Sequence, residues 1–203
     1  MTALDPLVGE ARERLVTRAR REGLATVGYA VTDSPLGPLW IAVGPRGVVN
    51  IHYGPTPDPR ELARITQAYG PGVLPDRRGC DRLLTELDEY FAGRRRSFEV
   101  AVDLAALTPF QRRILAATAR VPYGELTTYK VVARRAGNEQ ASRAAGAALG
   151  ANPIPIVVPC HRVVATDGSL GGYAGGLAAK RTLLALERGR AEVPAGGWPP
   201  SRR

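Results

Sequence analysis

The sequence predicts an α+β protein in which a small β-sheet is followed by a group of short helices. Three short apolar runs separated by turn residues predict a β-meander in the first half of the chain. After residue 108 the pattern changes to helical segments that begin at capping residues and end at glycines. With 203 residues, 44% of them hydrophobic, the chain can bury the core of one large domain or of two small ones.

These patterns divide the chain into four predicted segments. Residues 1–23 form an N-terminal helical extension, for which one amphipathic helix is expected. Residues 24–104 form a small α+β domain, and residues 108–189 form a second, largely helical domain. Residues 190–203 are rich in Pro, Gly and Arg, a composition that predicts a disordered tail.

The first domain contains the predicted meander and two predicted helices. Its strands are separated by two turn signals, Ser34-Pro35-Leu36-Gly37 and Gly44-Pro45-Arg46-Gly47. The strands are expected over residues 25–31, 39–43 and 48–53, with an edge strand over residues 98–104. The helices are expected over residues 60–68 and 81–91.

A capping box opens the second domain. Thr108 can cap a helix, Pro109 occupies the first helical position, and Gln111 lies three residues after the cap. This helix is expected to end near Ala119, because Val121-Pro122-Tyr123-Gly124 breaks the pattern.

Two further short helices follow, and the three together predict a helix-turn-helix. Thr127 is expected to cap the second helix, and Asn138 to cap the third, which continues to Leu149. This arrangement is typical of DNA-binding proteins, although three-helix runs also occur in proteins that never contact DNA.

The third helix carries Arg143 among small residues that include Ser142, Ala144 and Gly146. Around Arg143 it offers no pair of Asn or Gln side chains that could read adenine. Such a helix suits close approach to a minor groove, into which one long side chain can wedge. The alternative is an alanine-rich helix packed in the core.

Cys160 and His161 lie side by side at the end of an apolar run, residues 154–158, that predicts a strand. A thiolate nucleophile with a neighbouring base is one interpretation, and Glu187 on a final helix predicted over 177–187 can orient the imidazole. Adjacent residues on a strand point to opposite faces, so the pair needs a bridging water or a break in the strand. A purely structural cysteine is the alternative.

The charge and the scarce cysteines limit the class of partner. The formal net charge of +9 favours an anionic partner, and nucleic acid first among them. Apart from Lys130 and Lys180 every basic residue is Arg, a bias that genome composition also produces. We expect a cytoplasmic protein with free thiols, because the sequence shows no signal peptide, membrane span or disulfide framework.

Neither a metal nor a cofactor is expected. Zinc needs four suitably spaced ligands, whereas Cys80, Cys160, His52 and His161 are scattered singly. The glycines of residues 168–176 lack the strand-turn-helix context of a dinucleotide site.

The chain resembles the O6-alkylguanine-DNA alkyltransferases, also called methylated-DNA–protein-cysteine methyltransferases. The resemblance is strong over about residues 108–189 and fair over 25–104. The motifs that carry it are Thr108-Pro109-Phe110-Gln111, Val121-Pro122-Tyr123-Gly124, Arg143-Ala144-Ala145-Gly146, Ile154-Pro155-Ile156-Val157-Val158-Pro159-Cys160-His161-Arg162-Val163-Val164 and Gly172-Tyr173-Ala174-Gly175-Gly176-Leu177.

This resemblance implies the fold in more detail. The first domain is expected to be a small α/β domain of the ribonuclease H-like kind. The segment 108–189 is expected to be the DNA-binding and alkyltransferase domain, with a winged-helix-like helix-turn-helix. The partner implied is double-stranded DNA that contains O6-alkylguanine, bound by a monomer, with cooperativity along DNA left open.

The resemblance also implies the chemistry. Cys160 takes the alkyl group from O6 of guanine, and from O4 of thymine, and keeps it, so each molecule acts once. His161 withdraws the thiol proton through a water, and Glu187 holds His161. Asn152 pins the turn before the active segment. Tyr129 presses on the phosphate beside the flipped nucleotide and helps to protonate the departing guanine.

The remaining roles implied by the resemblance concern DNA and the base. Arg143 is the finger that enters the duplex, on a helix whose small residues Ser142, Ala144 and Gly146 lie in the minor groove. The alkyl and base pocket is expected to be formed by Tyr173, Gly175, Val158 and Val163. Each residue taken singly also has a structural interpretation, such as Tyr129 packing the helix pair.

The sequence departs from the family at Lys130, where a glycine is common, which puts the contact with the DNA backbone in doubt. Other functions remain open beside repair. Relatives without the cysteine bind lesions without repairing them, so a damage sensor or regulator is the alternative. A thiol hydrolase would need an oxyanion hole, for which the sequence shows no pattern.

Overall fold

The computed structural model describes residues 11, 14–19, 21–24 and 26–189. Residues 14–19 are helical, as the predicted extension requires. Residues 11 and 21 are helical as well, and residues 22–23 form a turn. Residues 1–10, 12–13 and 20 of that extension and the predicted disordered tail at 190–203 lie outside the described residues, so the full extension and the tail remain predictions.

A four-stranded sheet forms the centre of the first part of the chain. Its strands are β1 Val27–Thr32, β2 Leu39–Gly44, β3 Gly47–Tyr53 and β4 Val73–Pro75, in the order β3-β2-β1-β4. The first three strands pair antiparallel, which confirms the predicted meander. Strand β4 runs parallel to β1 and was not predicted, because three half-buried residues that end in proline carry no alternating pattern.

Two helices accompany this sheet, α1 Pro59–Tyr69 and α2 Arg77–Phe91. Helix α2 begins four residues before the predicted position because the side chain of Asp76 accepts a hydrogen bond from the Gly79 amide and caps it. Its buried residues Leu83 and Leu87 share one hydrophobic cluster with Ile41 and Ile51 of the sheet. The sheet therefore buries one face under α2.

The predicted edge strand over 98–104 is wrong. Only a single bridge joins Val102 to Val48 within this described segment. The amides of Glu99 and Val100 donate to the carboxylate of Glu86 on α2 instead of to a neighbouring strand. The alternating sequence reflects a connection that packs along the sheet and α2.

The second part consists of four helices and a two-stranded parallel sheet. The helices are α3 Pro109–Ala119, α4 Tyr129–Arg135, α5 Ser142–Gly150 and α6 Gly176–Glu187. The strands are β5 Thr127–Thr128 and β6 Val163–Val164. The capping box of Thr108 and Gln111 is present with both of its hydrogen bonds, as predicted.

Two helix starts differ from the prediction. Thr128, and not Thr127, caps α4: its side chain accepts from the Val131 amide, while both threonines pair with β6 in the small sheet. Asn138 caps a 3-10 turn that leads directly into α5, so the α-helical part begins only at Ser142.

The predicted strand over 154–158 is also wrong. The segment is a series of buried turns, in which the Val158 amide donates to the carbonyl of Ile154 at 2.9 Å. Ile156 has a φ of 75°, a left-handed value that a β-branched residue rarely adopts. Ile154 and Ile156 are fully buried, so the apolar run reflects burial on all sides rather than a strand. A 3-10 turn, Cys160–Arg162, follows it.

Within the described ranges, every helix is too short or too polar to span a bilayer.

Candidate active site

Cys160 lies at the floor of a cavity between α4, α5 and the glycine-rich loop. The thiol residue is 6% exposed, and the cavity has a volume of about 370 Å³, within the usual range for small-ligand sites. Its other lining residues are Tyr129, Gly146, Leu149, Gly150, Gly172, Tyr173 and Ala174.

Asn152 holds the turn that carries the thiol and also touches the sulfur. Its Oδ1 accepts from the Ile154 amide at 3.0 Å, and its Nδ2 donates to the Val158 carbonyl at 2.9 Å. The same Nδ2 lies 3.1 Å from Sγ of Cys160. The sequence predicted the role in the turn; the contact with sulfur depends on the fold of 154–160 and was missed.

The thiol of Cys160 is protonated at neutral pH. Burial raises its pKa above the ordinary value, and the Asn152 hydrogen bond and the positive charge of Lys180 oppose this only in part. Because the thiolate is the nucleophilic form, the site needs a base that removes this proton.

His161 supplies a basic nitrogen in a defined tautomer. Its Nε2 lies 2.8 Å from Oε1 of Glu187. Burial would raise the pKa of Glu187, but hydrogen bonds from His161 and Arg162 lower it to about 2, so the group is a carboxylate. Burial lowers the pKa of His161, so the ring is neutral. Nε2 therefore carries the hydrogen, and Nδ1 holds the lone pair.

The lone-pair nitrogen Nδ1 of His161 is buried and has no hydrogen-bond partner in the described part of the chain. An imidazole nitrogen of this kind is suited to accept a proton from a nearby thiol or from a bridging water. Cys160 and His161 lie on a 3-10 turn and not on a strand, so their side chains are not forced to point to opposite faces.

The Glu187 carboxylate is held by more donors than the sequence indicated. Arg162 donates to both oxygens through Nε and Nη2, at 2.8 to 3.2 Å. The Tyr90 hydroxyl donates at 2.7 Å and the Gly124 amide at 3.0 Å. A buried charge requires such donors. The position of Arg162 directly after Cys160 and His161 could have indicated a role in the site, whereas no sequence pattern around Tyr90 indicated one.

Lys180 is a further site residue that the sequence did not identify. It is fully buried on α6, and its Nζ donates to the Val163 carbonyl at 2.7 Å and to the Leu170 carbonyl. Burial lowers its pKa to about 8, and the negative charge that Cys160 carries as a thiolate acts in the opposite direction. The sequence feature that could have indicated Lys180 is a lysine among apolar residues of a helix in a chain whose other charged basic residues are nearly all arginines.

Tyr129 stands at the opening of the cavity. A Cβ at Gly171, which has a φ of +63°, would lie 2.6 Å from the Tyr129 hydroxyl oxygen. Glycine at this position therefore allows the loop to approach the phenol. Burial, and the negative charge of Cys160 in its thiolate form, raise the pKa of Tyr129, so the phenol is neutral and able to donate.

A second groove of about 380 Å³ adjoins the cavity. Arg143 is exposed in this groove, and Ala144 is exposed on the same helix but does not line the groove, whereas Ala145 and Ala148 are buried. Arg143 forms no ion pair with any residue that the structure describes. The groove is lined by Tyr129, Lys130, Ser142, Arg143, Gly146, Ala165 and Thr166.

Three residues expected at the pocket are placed elsewhere. Val158 and Val163 are buried in the core and do not line the cavity. Their carbonyls accept from Asn152 and Lys180. Gly175 faces the ring of Tyr53, so Gly172 and Ala174 form the loop's part of the wall beside Tyr173.

Metal ligands are not gathered in the described ranges, where no group of three or more His, Cys, Asp or Glu residues is placed to hold an ion.

Two family models match the chain. The model for the ribonuclease-like domain of 6-O-methylguanine DNA methyltransferase matches residues 27–104. The model for the DNA-binding domain of 6-O-methylguanine DNA methyltransferase matches residues 109–189. The two matches correspond to the sheet-containing part and to the helical part of the structure.

Curated and solved proteins agree with these matches. A Mycobacterium tuberculosis methylated-DNA–protein-cysteine methyltransferase is 39% identical over 168 residues, 81% of this chain and 94% of its own. One from Methanosarcina acetivorans is 37% identical over 161 residues, 78% of this chain and 97% of its own. The structure of Mycobacterium tuberculosis OGT in complex with DNA has a TM-score of 0.70 and 38% identity, and covers 83% of this chain and 96% of that chain.

Proposed function

We propose that this chain, which belongs to the 6-O-methylguanine DNA methyltransferase family, repairs alkylated DNA by moving the alkyl group from O6 of guanine to Cys160. Membership makes the chain a methylated-DNA–protein-cysteine methyltransferase by class, with DNA as its partner. The finer steps below are our proposal, and they rest on the geometry of the site.

The observation that carries the proposal is the arrangement around the thiol. Sγ of Cys160 lies at the floor of a cavity, with Asn152 on one side and a neutral His161 beside it in the chain. The imidazole is oriented by an ionised Glu187, and its Nδ1 is left to accept a proton. Such a set of nucleophile, base and orienting carboxylate is the requirement for covalent transfer.

The proposed reaction is an in-line displacement at the alkyl carbon. The thiol proton passes through a water to Nδ1 of His161, the bond between sulfur and carbon forms, and the bond between carbon and O6 breaks. The electron pair stays on guanine, which takes a proton that the Tyr129 hydroxyl helps to deliver. The proton that His161 received returns through solvent to Tyr129, so the net result is a thioether on Cys160 in place of the thiol and a hydrogen on guanine in place of the alkyl group.

The thioether supports the proposal of a single turnover. A carbon–sulfur bond of this type is stable, and the lining of the cavity includes no second cysteine that could take the alkyl group from Cys160. The same chemistry applies to O4 of thymine, which we include in the proposal because it presents an equivalent alkyl ether.

The depth of the thiol supports base extrusion. Cys160 is buried behind the groove that Arg143 and Tyr129 line, so a stacked guanine cannot bring its alkyl carbon to sulfur. Flipping costs a few kcal/mol, and less for a damaged base. We propose that the small exposed face of α5 enters the minor groove and that Arg143 fills the gap left by the base.

Lys130 extends this proposed interface. Its Nζ forms an exposed ion pair with Glu139 at 3.2 Å, and it lines the groove beside Arg143. The monomeric state, the domain limits 24–104 and 108–189, and the cytoplasmic location predicted from the sequence belong to the same proposal.

The test is the intact mass of the protein after mixing with a duplex that carries one O6-methylguanine. A gain of one methyl group, mapped to Cys160 and absent in Cys160→Ala, is the expected result. Cys80→Ala is the matched control, because Cys80 is the other cysteine and is buried in the first part of the chain. Tight binding without a mass gain would favour the alternative of a damage sensor.

A further inference from the structure

Tyr53 in the first part of the chain touches the wall of the active-site cavity. It ends strand β3, and its hydroxyl lies 2.6 Å from the hydroxyl of Tyr173, which lines the cavity beside Cys160. Burial raises the pKa of both phenols, so both hydroxyls are neutral and one donates to the other. The cavity wall therefore has a partner from outside the helical part.

The ring of Tyr53 also occupies the space behind the glycine-rich loop. A Cβ built on Gly175 would lie 2.8 Å from two atoms of this ring. The rings of Tyr53 and Tyr173 meet edge to face, with centroids 5.8 Å apart. Tyr173 in turn meets His161 edge to face at 6.3 Å. The loop is thus packed between Tyr53 and the cavity.

Strand β3 is itself tied to the other side of the site. The Ile51 amide donates to the carbonyl of Pro153 at 2.8 Å, next to Asn152, which contacts the sulfur. Two points of one strand therefore hold the turn before Cys160 and the loop after it. The backbone position of Tyr53 is therefore set by the same strand that contacts Pro153.

We infer that Tyr53 is a positioning residue that sets the size of the alkyl group the cavity accepts. It does so by holding the Tyr173 ring through the hydroxyl bond and by filling the space behind Gly175. The inference rests on the proposed function and concerns the size limit of that same site, which a methyl group and a benzyl group test from opposite ends. Removal of these contacts allows the Tyr173 ring and the loop around Gly175 to move away from the sulfur of Cys160.

The test compares single-turnover rates on two duplexes of one sequence, with O6-methylguanine or O6-benzylguanine at the same position. Tyr53→Phe removes only the hydroxyl bond, and Tyr53→Ala also opens the space behind Gly175. We expect the benzyl-to-methyl rate ratio to rise about threefold in the first variant and about tenfold in the second, as a wider pocket relaxes discrimination. Loss of stability alone lowers both rates and leaves this ratio unchanged.

Tyr29→Phe is the matched control. Tyr29 is a tyrosine of the same sheet, but its ring packs on Trp40 in a separate hydrophobic cluster. Its rate ratio should equal that of the wild type. An unchanged or lowered ratio in Tyr53→Phe, in a wild type that gains methyl normally, overturns the inference even if Tyr53→Ala fails to fold. A wild type that gains no methyl group contradicts the proposed function itself.

Discussion

Nε2 of His161 donates to the carboxylate of Glu187 at 2.8 Å, and this bond decides which nitrogen of the ring is basic. Because the carboxylate is ionised, the hydrogen stays on Nε2 and the lone pair stays on Nδ1. The bond joins residues 26 positions apart, and it is surrounded by Arg162 and Tyr90. The proposed proton transfer depends on this arrangement.

Glu187→Gln should slow methyl transfer strongly. The amide is uncharged and can favour the other tautomer of His161, in which Nδ1 has no lone pair. The variant would then lose general-base catalysis, which contributes about 10² to 10⁴-fold to the rate. The variant should also lose about 3 to 5 kcal/mol of stability, because the buried Arg162 keeps its charge without a partner. Single-turnover rates and thermal unfolding measure the two effects. Glu99→Gln, at an exposed ion pair, is the control, and an unaltered transfer rate in Glu187→Gln would refute the role of the carboxylate.

Stability should fall as the pH decreases below 6.5. The pKa of His161 is lowered in the folded protein. Below 6.5 the imidazole is therefore protonated in the unfolded chain but not in the native protein, and this difference favours unfolding. The pKa of Glu187 is lowered from 4.5 to about 2, so its contribution is present above 4.5 and is lost as the pH falls towards 2. That shift corresponds to about 3 kcal/mol.

The measurement is the free energy of unfolding by denaturant between pH 8 and the acid limit. His161→Asn should lack the loss that begins near 6.5, whereas His52→Asn, at a partly buried histidine that contacts Glu61 far from the site, should keep it. Equal acid sensitivity in all three proteins would contradict the assignment.

Lys180→Met should slow transfer by about tenfold, because a buried positive charge near the sulfur stabilises the thiolate. The charge of Lys180 lowers the pKa of Cys160, so its removal leaves the thiol harder to ionise. The pH dependence of the single-turnover rate should move to higher pH. Lys130→Met, at an exposed lysine, should leave that pH dependence in place.

Gly171→Ala should impair transfer by about tenfold or more. The added Cβ would lie 2.6 Å from the Tyr129 hydroxyl, so the phenol must shift, and small misplacements at a reacting site are costly. Gly137→Ala is the matched control, because Gly137 also has a positive φ but its Cβ would meet nothing within 4 Å. Equal effects of both variants on the rate would attribute the loss to backbone strain alone.

Arg143→Ala should slow repair of duplex DNA by about tenfold or more while leaving reaction with free O6-benzylguanine nearly unchanged. The long side chain is needed only where a gap in the base stack must be filled. Arg60→Ala, at an exposed arginine of α1 outside the groove, should affect neither reaction. Equal losses on duplex and free base would argue against the finger role.

Local signals in the sequence predicted much of the fold. The capping box at Thr108 and Gln111 and the turn signals between β1, β2 and β3 are each carried by a few adjacent residues, and the structure confirms them. The pairing of Cys160 with His161 and the motif around them also indicated the family. Such features can be predicted from the sequence alone because they depend on residues that are neighbours along the chain.

Tertiary structure alone decided the rest of the site. The apolar run at 154–158 is compatible with a strand or with any segment buried on all sides, and only packing made it a series of turns. Tyr90 reaches Glu187 across 97 positions, and Tyr53 reaches Tyr173 across 120. Such contacts form when segments distant in sequence pack against each other, so no local pattern of residues predicts them.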